Sequence, residues 1–320
     1  MMEGAEISSG RAYPGALRAL GILARLRLRR SYNLLTVGML AMLGRGSKTA
    51  KRQATPAKRT VGWMLGLFLI VIMGFTYSVM SRDAILHLHC DLNPTHVCGL
   101  AGPGKFSNNE TRAVALDFMS TAMSTPVAGG LALELALLCV TAILLMLGAR
   151  GAAQQEWDFE WLATMPLRRR TLLWGRVIER AVPTGLGFFL LVPFCIALAW
   201  SAGLRWSAPP VGVLLGMILL ACVAPFVALF DTGLRMALPP ARMRNTQAVI
   251  ALFGMPLMLL AMTPATSVPL RLIFDLAHAV PAWIVWTPPG LAVRLATAPA
   301  FGEALPLAAL LLAQTALLMT

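Results

Sequence analysis

The sequence predicts an all-α, polytopic membrane protein with six transmembrane helices, the last incomplete, and an N-terminal helix on the membrane surface. Of its 320 residues, 58% are apolar and 13% are charged, whereas soluble domains are about half apolar and about a quarter charged. Several almost uncharged runs reach about 20 residues, the length that a helix needs to cross a bilayer. The runs lack the alternation of barrel strands, so helices are the expected way to satisfy the backbone in hydrocarbon.

Six apolar runs are predicted to span the membrane. Five are long and nearly free of charge, and Glu134 is the one ionisable residue well inside them. The sixth reaches the end of the sequence before any flanking cation, so we interpret it as a span that is cut short. The predicted spans are residues 61–80, 127–148, 181–203, 211–230, 246–264 and 304–320.

The basic residues predict the orientation of these spans. Twenty-one of the 27 Lys and Arg residues fall in residues 1–60, 149–180 and 231–245. Cytoplasmic loops carry such an excess of Lys and Arg, so the N-terminus and these three segments are predicted to be cytoplasmic, and residues 81–126 form an outer loop. The net charge of +13 then reflects topology, and we expect the lipid bilayer, with no nucleic acid, as the partner.

The N-terminal region, residues 1–60, is predicted to lie in the cytoplasm ahead of the transmembrane domain, residues 61–320. Within it, residues 16–30 place leucines on one face of a helix and arginines beside them, which is typical of a helix on a membrane surface. A disordered basic arm is the alternative. The first long apolar run comes only after this basic lead, so we expect the first span to act as an uncleaved anchor.

Glycine pairs spaced four residues apart occur in two of the predicted spans. Gly62 with Gly66 and Gly212 with Gly216 would let neighbouring helices approach closely. In glycine-rich spans such pairs also arise by chance, so both explanations stay open.

The cytoplasmic segment between the second and third spans mixes acidic, aromatic and basic residues in order. Acidic residues stand before Trp161 and Leu162, Pro166 interrupts the helix, and three arginines follow. This order suits a docking element, because aromatic side chains are effective anchors for a partner. The alternative is a loop helix that rests on lipid headgroups.

This order of an acidic patch, a Leu-Ala-x-x-Pro-Leu turn, a basic cluster and a helix containing Gly-Arg resembles the permeases of type-2 ABC exporters. In that family the loop between the second and third spans forms the coupling helix. Residues 16–30 resemble the family's interfacial connecting helix, and residues 279–293 resemble its re-entrant segment before the sixth span. The resemblance covers nearly the whole chain, but each motif is degenerate.

The resemblance implies an exporter permease in the cytoplasmic membrane, with a second permease half supplied by a homodimer, a heterodimer or the rest of a longer chain. The permease would do no chemistry itself and bind no cofactor, because a separate ATPase subunit would hold ATP and Mg²⁺. The residues implied to contact that ATPase are Glu156, Trp157, Asp158, Glu160, Trp161, Leu162, Pro166, Arg168, Arg169 and Arg170.

A phosphate-binding loop is nearly matched in the outer loop. Gly99, Gly104 and Lys105 have the required spacing, but Phe106 stands where a Ser or Thr would hold Mg²⁺. We therefore expect no ATPase within this chain.

The outer loop also gathers residues of the types that bind zinc or copper. They are His87, His89, Cys90, His96 and Cys98. A disulfide between Cys90 and Cys98, a metal site that includes the three histidines, and unpaired structural residues are all open. A membrane-bound metal-binding or assembly protein that uses this loop is the alternative to the exporter.

Glu134 is a candidate pathway residue. Ionisable residues inside transmembrane helices commonly face the bundle interior or an aqueous cavity, because exposure to lipid costs a few kcal/mol. The alternative is that Glu134 lies close enough to the outer end of its helix to reach the interface.

Overall fold

The computed structural model describes residues 56–92, 108–120, 123–148, 185–262, 279, 281–298 and 301–319. All regular secondary structure in these ranges is helical, which confirms the all-α prediction for them. By its contacts the chain divides into two compact units, and every described residue from Trp63 onward belongs to the second. The helices are α1 (Pro56–Leu92), α2 (Asn108–Ser120), α3 (Thr125–Gly148), α4 (Gly185–Ser201), α5 (Ala208–Ala237), α6 (Pro240–Met262), α7 (Pro288–Ala296) and α8 (Phe301–Met319).

Each predicted span coincides with a helix. The spans correspond in order to α1, α3, α4, α5, α6 and α8. Two stretches of the described chain, Thr125–Gly148 and Arg205–Leu234, are long and apolar enough to cross a membrane. Three shorter apolar helices, Gly187–Ser201, Asn245–Met258 and Gly302–Leu318, accompany them. The protein is therefore a helical protein whose composition is compatible with membrane association.

The predicted outer loop contains more helix than its sequence suggested. α1 does not end at Met80 but continues to Leu92, and α2 forms within the same loop. The extension is stable because Ile85, Leu86 and Leu88 are fully buried in the core. Residues 1–55, which include the predicted interfacial helix, lie outside the described residues.

α3 is the central helix of the described bundle. It packs against α4, α5, α6 and α7. Leu131, Leu135, Leu138 and Ala142 have no solvent exposure, and their spacing of three or four residues places them along one side of the helix. Burial of such side chains is the main source of stability in a helical core.

α4 and α5 form a hairpin whose turn is fixed by backbone hydrogen bonds. The N–H of Leu204 donates to the carbonyl of Ala199 at 3.1 Å, and the N–H of Gly203 donates to the carbonyl of Trp200 at 3.0 Å. These are the two bonds of a Schellman motif. Gly203 has φ +89°, a left-handed conformation that a glycine adopts without steric cost.

The α4–α5 seam is lined by one of the predicted glycine pairs. A Cβ added at Gly212 would lie 2.5 Å from the Cα of Ile196, and one added at Gly216 would lie 3.0 Å from the Cα of Val192. No side chain larger than hydrogen fits at Gly212 without moving the backbone. The pair therefore forms a real packing seam, and the pairing of its residues shows that the two helices are antiparallel.

Several chain segments meet at one end of the bundle, which we call the upper end. It comprises the last turns of α1, helix α2, the α4–α5 turn and residues 281–298. His89 of α1 contacts Asp117 of α2, the side chain of Met119 lies beside Gly203, and the Thr297 hydroxyl lies 3.7 Å from the Met123 sulfur. Each of these segments was predicted to lie outside the membrane on the same side.

A proline lies inside each of α4, α5, α6 and α8. These are Pro193, Pro225, Pro256 and Pro306. A proline in a helix interior removes one backbone hydrogen bond and is strongly unfavourable in soluble helices. Transmembrane helices tolerate it, because neighbouring helices and Ser or Thr side chains satisfy the freed groups.

Candidate functional site

Glu134 lies in the interior of the bundle. It is nine residues from the start of α3, which is about 13 Å along the helix axis, and only 4% of its surface is exposed. Burying a carboxyl group in a helical core is costly, so Glu134 is the candidate around which the site is built.

Two hydroxyl groups of α1 accompany this carboxyl. Tyr77 is 4% exposed and Ser81 is fully buried, and they lie one helical turn apart on the same side of α1. Neither hydroxyl has a hydrogen-bond partner among the described residues. The Glu134 carboxyl lies close enough to the Tyr77 phenol to interact with it electrostatically. We call Tyr77, Ser81 and Glu134 the polar cluster.

α1 is held against α4 at the height of the polar cluster. The Ser78 hydroxyl donates to the carbonyl of Pro193 at 3.1 Å, and the Tyr77 and Phe189 rings stack with their centroids 6.4 Å apart. Gly74, one turn earlier, also faces α4, where an added Cβ would lie in ordinary contact at 3.9 Å from the Phe189 ring. These contacts fix where the two α1 hydroxyls stand relative to α4.

The sequence identified Glu134 but missed Tyr77 and Ser81. Glu134 stands out because it is a lone acid in an apolar run. Tyr77 and Ser81 lie at the end of another predicted span, and only packing brings them to the carboxyl. Their spacing of four residues puts both on one helical face, which is the only feature of the sequence that relates the two hydroxyls to each other.

The described histidines of the outer cluster are already engaged. His89 is buried, its Nε2 atom lies 3.2 Å from Oδ2 of Asp117, and its ring meets Phe118 edge-on at 5.1 Å. His87 also makes an interaction. Within the described ranges, no three His, Cys, Asp or Glu side chains are grouped so that they could hold a metal ion. His96 lies outside those ranges.

The cysteines divide into two classes. Cys90 is disulfide-bonded, whereas Cys139, Cys195 and Cys222 are free thiols within helices. Cys98, the predicted partner of Cys90, lies outside the described residues, so that pairing stays a prediction. A disulfide at Cys90 removes its thiolate from any metal site.

A short helix pair precedes α8 at the upper end. It consists of the 3₁₀ turn Ala282–Trp286 and α7. The two pieces meet closely at Gly290, where an added Cβ would lie 2.6 Å from the Cα of Val285. The Gln314 amide of α8 donates to the carbonyl of Trp286 at 2.9 Å, and the Arg294 guanidinium lies 4.5 Å from the centre of the Trp286 ring. This pair overlaps residues 279–293, the segment that resembles the family's re-entrant segment, whose re-entrant character stays a prediction.

The residues implied to couple to an ATPase are not among those described. Residues 149–184 lie outside the described ranges, and they include the acidic patch, the Pro166 turn and the three arginines. Their role stays a prediction from the sequence.

Comparison with models of known protein families, with curated proteins and with solved structures found no match for this chain. The likeness to type-2 exporter permeases therefore rests on the order of motifs along the chain.

Proposed function

We propose that this chain is the permease subunit of an ATP-driven ABC exporter. It crosses the cytoplasmic membrane six times, with its N-terminus in the cytoplasm. A separate ATPase binds residues 156–170, and its closure on ATP shifts the helices between inward-facing and outward-facing arrangements. A ligand or nucleotide drives such a change only through contacts that differ between the two states.

The exposed surface of the helices supports membrane insertion. Large apolar side chains project outward from α1, α5 and α6, and large exposed apolar patches on a protein mark contacts with a membrane or a partner. In a bilayer the same side chains face lipid. They include Phe68, Val71, Phe75, Leu214, Leu229, Phe230, Leu252 and Phe253.

Tryptophans at the upper end support the position of a membrane interface there. Trp206 is 96% exposed, and Trp200, Trp283 and Trp286 are also exposed. Tryptophan is enriched where lipid headgroups meet water, because its ring is apolar and its N–H is polar. All four belong to segments that were predicted to lie at the outer boundary.

The directions of the helices support alternate crossing. α4 and α5 are antiparallel along their glycine seam. α3 and α6 are also antiparallel, because Gly148 faces Ala251 whereas Leu145 faces Gly254. Spans two and five, and spans three and four, must run in opposite directions in a six-span protein.

The observation that carries the exporter assignment over other membrane proteins is the short helix pair before α8. The 3₁₀ turn and α7 are too short to cross a bilayer. Leu291, Ala292 and Val293 are nevertheless fully buried, and α7 packs against α3, α4, α5 and α8. A broken, buried, non-spanning segment before the last helix is the feature that the family resemblance predicts.

The test is co-purification of the full-length gene product from its native membrane in a mild detergent. We expect an ATP-hydrolysing subunit to accompany the permease. The double variant Glu156→Lys with Glu160→Lys should lose that subunit, because charge reversal removes the acidic half of the docking segment. The matched control is Glu303→Lys, a charge reversal at an exposed residue in the first turn of α8, which should retain it.

Two outcomes contradict the proposal. One is an intact, monodisperse permease that brings no ATPase under any mild condition. The other is a double variant that binds the ATPase as tightly as the wild type and the Glu303→Lys control.

A further inference from the structure

The tip of the α4–α5 hairpin carries a residue in a strained backbone conformation. Arg205 begins the 3₁₀ turn Arg205–Ser207, and its φ is +38°. Left-handed backbone is unfavourable for a residue with a side chain, because the Cβ atom comes too close to a carbonyl oxygen. Gly203, two residues earlier, also has a positive φ, but a glycine pays no such cost. A glycine or an asparagine would therefore be the expected residue at position 205.

Hydrogen bonds hold the tip in this conformation. The N–H and the hydroxyl of Ser207 both donate to the carbonyl of Leu204, at 2.8 Å and 2.6 Å respectively. The N–H of Ala208 donates to the carbonyl of Arg205, and Ala208 is fully buried. The strained residue is thus fixed within a rigid turn. Backbone strain that the surrounding structure maintains in this way is a reason to look for a function at the same place.

The tip presents a cation and an aromatic ring to its surroundings. Arg205 is exposed, and Trp206 beside it is almost fully exposed. Within the described ranges the Arg205 side chain forms no ion pair, hydrogen bond or ring contact. Arg294, at the same end of the bundle, instead lies over the Trp286 ring. The tip therefore has an unused guanidinium next to an unused indole ring.

These two groups together favour a phospholipid with an anionic headgroup. The guanidinium fork matches two oxygen atoms of a phosphate, and an indole ring is favourable where lipid headgroups meet the acyl chains. A zwitterionic headgroup carries its own cation close to the phosphate, and that cation competes with Arg205. A phosphate free in solution would leave Trp206 in water.

We propose that the α4–α5 tip binds the phosphate of an anionic phospholipid. The Arg205 guanidinium pairs with the phosphate, and the Trp206 ring inserts below it, against the upper part of the acyl chains. The strained turn holds both side chains outward, toward the lipid. This inference rests on the proposed function, in which the tip lies at the outer boundary of the membrane, and it adds a specific lipid partner at that boundary.

The experiment measures contact between Trp206 and lipids with two different headgroups. The purified full-length chain is reconstituted in phosphatidylcholine vesicles that contain a minor fraction of either phosphatidylglycerol or phosphatidylcholine brominated on the acyl chains, since bromine quenches tryptophan fluorescence on contact. The Trp206 signal is the difference between the wild type and Trp206→Phe. We expect brominated phosphatidylglycerol to quench that signal at least twofold more strongly than brominated phosphatidylcholine. Equal quenching would overturn the anionic preference, and no quenching by either lipid would overturn lipid contact at the tip.

Charge variants test the role of Arg205. Arg205→Gln removes the cation, so both brominated lipids should quench Trp206 equally, whereas Arg205→Lys should keep part of the preference. The matched control is Arg112→Gln, which removes an exposed arginine of α2 at the same end of the bundle and should keep the whole preference. A preference that survives Arg205→Gln, or one that is lost equally in Arg112→Gln, would refute the assignment to the tip.

The backbone strain gives a second readout. Arg205→Gly and Arg205→Gln remove the same charge, but only glycine relieves the left-handed conformation. We expect Arg205→Gly to unfold at a higher temperature than both Arg205→Gln and the wild type, while it loses the lipid preference. A glycine variant that is no more stable than the glutamine variant would contradict the strain, and with it the argument that the turn is maintained for binding.

The outcomes separate this proposal from the exporter assignment. A preference for phosphatidylglycerol without any co-purifying ATPase would keep the lipid site and remove the exporter assignment. A co-purifying ATPase together with equal quenching by the two lipids would do the reverse. Quenching of the other tryptophans in Trp206→Phe reports membrane insertion by itself, so an unquenched Trp206 in an inserted protein refutes the tip site alone.

Discussion

The Gly212–Gly216 pair brings two apolar helices into backbone contact. The polar cluster instead places three polar side chains in the same bundle, and its two hydroxyls have no hydrogen-bond partner among the described residues. Along the α4–α5 seam the close contacts join the backbone of one helix to the backbone of the other. In the polar cluster the Tyr77 and Ser81 side chains are packed by their neighbours but form no hydrogen bond within the described residues. We infer that the seam contributes stability and that the buried, unpaired hydroxyls of the polar cluster reduce it.

Breaking the seam should give the largest effect. Gly212→Val places side-chain atoms where the Ile196 backbone lies at 2.5 Å, so α4 and α5 must separate. We expect the free energy of unfolding to fall by roughly 3 kcal/mol, the upper range for overpacking, in denaturant titrations of the purified protein. Gly233→Val is the matched control on the same helix, because no atom lies within 4 Å of its added Cβ; equal losses would show that the seam is not tight.

Removing the carboxyl from the polar cluster should raise the stability of the protein, whereas breaking the seam lowers it. Glu134→Met keeps a similar shape and replaces a buried carboxyl with an apolar side chain, so we expect the free energy of unfolding to rise by about 1–2 kcal/mol. Glu303→Met, at an exposed position, should change it by less than about 0.5 kcal/mol. A Glu134→Met protein that is less stable than the wild type would mean that the carboxyl has a structural role.

The link between the polar cluster and α4 should give the smallest effect. Ser78→Ala removes the hydrogen bond to the Pro193 carbonyl, and interhelical bonds of this kind contribute about 0.6 kcal/mol in membrane proteins. Thr76→Val is the control, since the Thr76 hydroxyl bonds to Ile72 of its own helix. A loss at Ser78 no greater than at Thr76 would show that this bond does not hold α1 to α4.

The sequence predicted where the helices lie better than where they end. Apolar runs identify a helix because charged residues are excluded from it, and each of the six runs corresponds to a helix. The prediction ended α1 at Met80 because Arg82 and Asp83 follow. In the structure α1 continues to Leu92, because Ile85 and Leu86 are buried by contacts distant in sequence.

The candidate site was predicted only in part for a related reason. A single acid in an apolar run is visible in one segment of the sequence. The neighbourhood of Tyr77 and Glu134 depends on how α1 packs, which involves Phe189 and Pro193 of a third helix. A pattern within one helix carries no information about its contacts with other helices. The carboxyl could therefore be identified from the sequence, whereas the two hydroxyls were identified only in the structure.

The α4–α5 turn bears on how the protein is made. Its Schellman bonds satisfy carbonyls at the end of α4, and only six residues separate α4 from α5. In the proposed topology the two helices can enter the bilayer as one hairpin with few free backbone groups at the tip, which hydrocarbon requires. The orientation that the first of them takes during insertion therefore determines the orientation of the second.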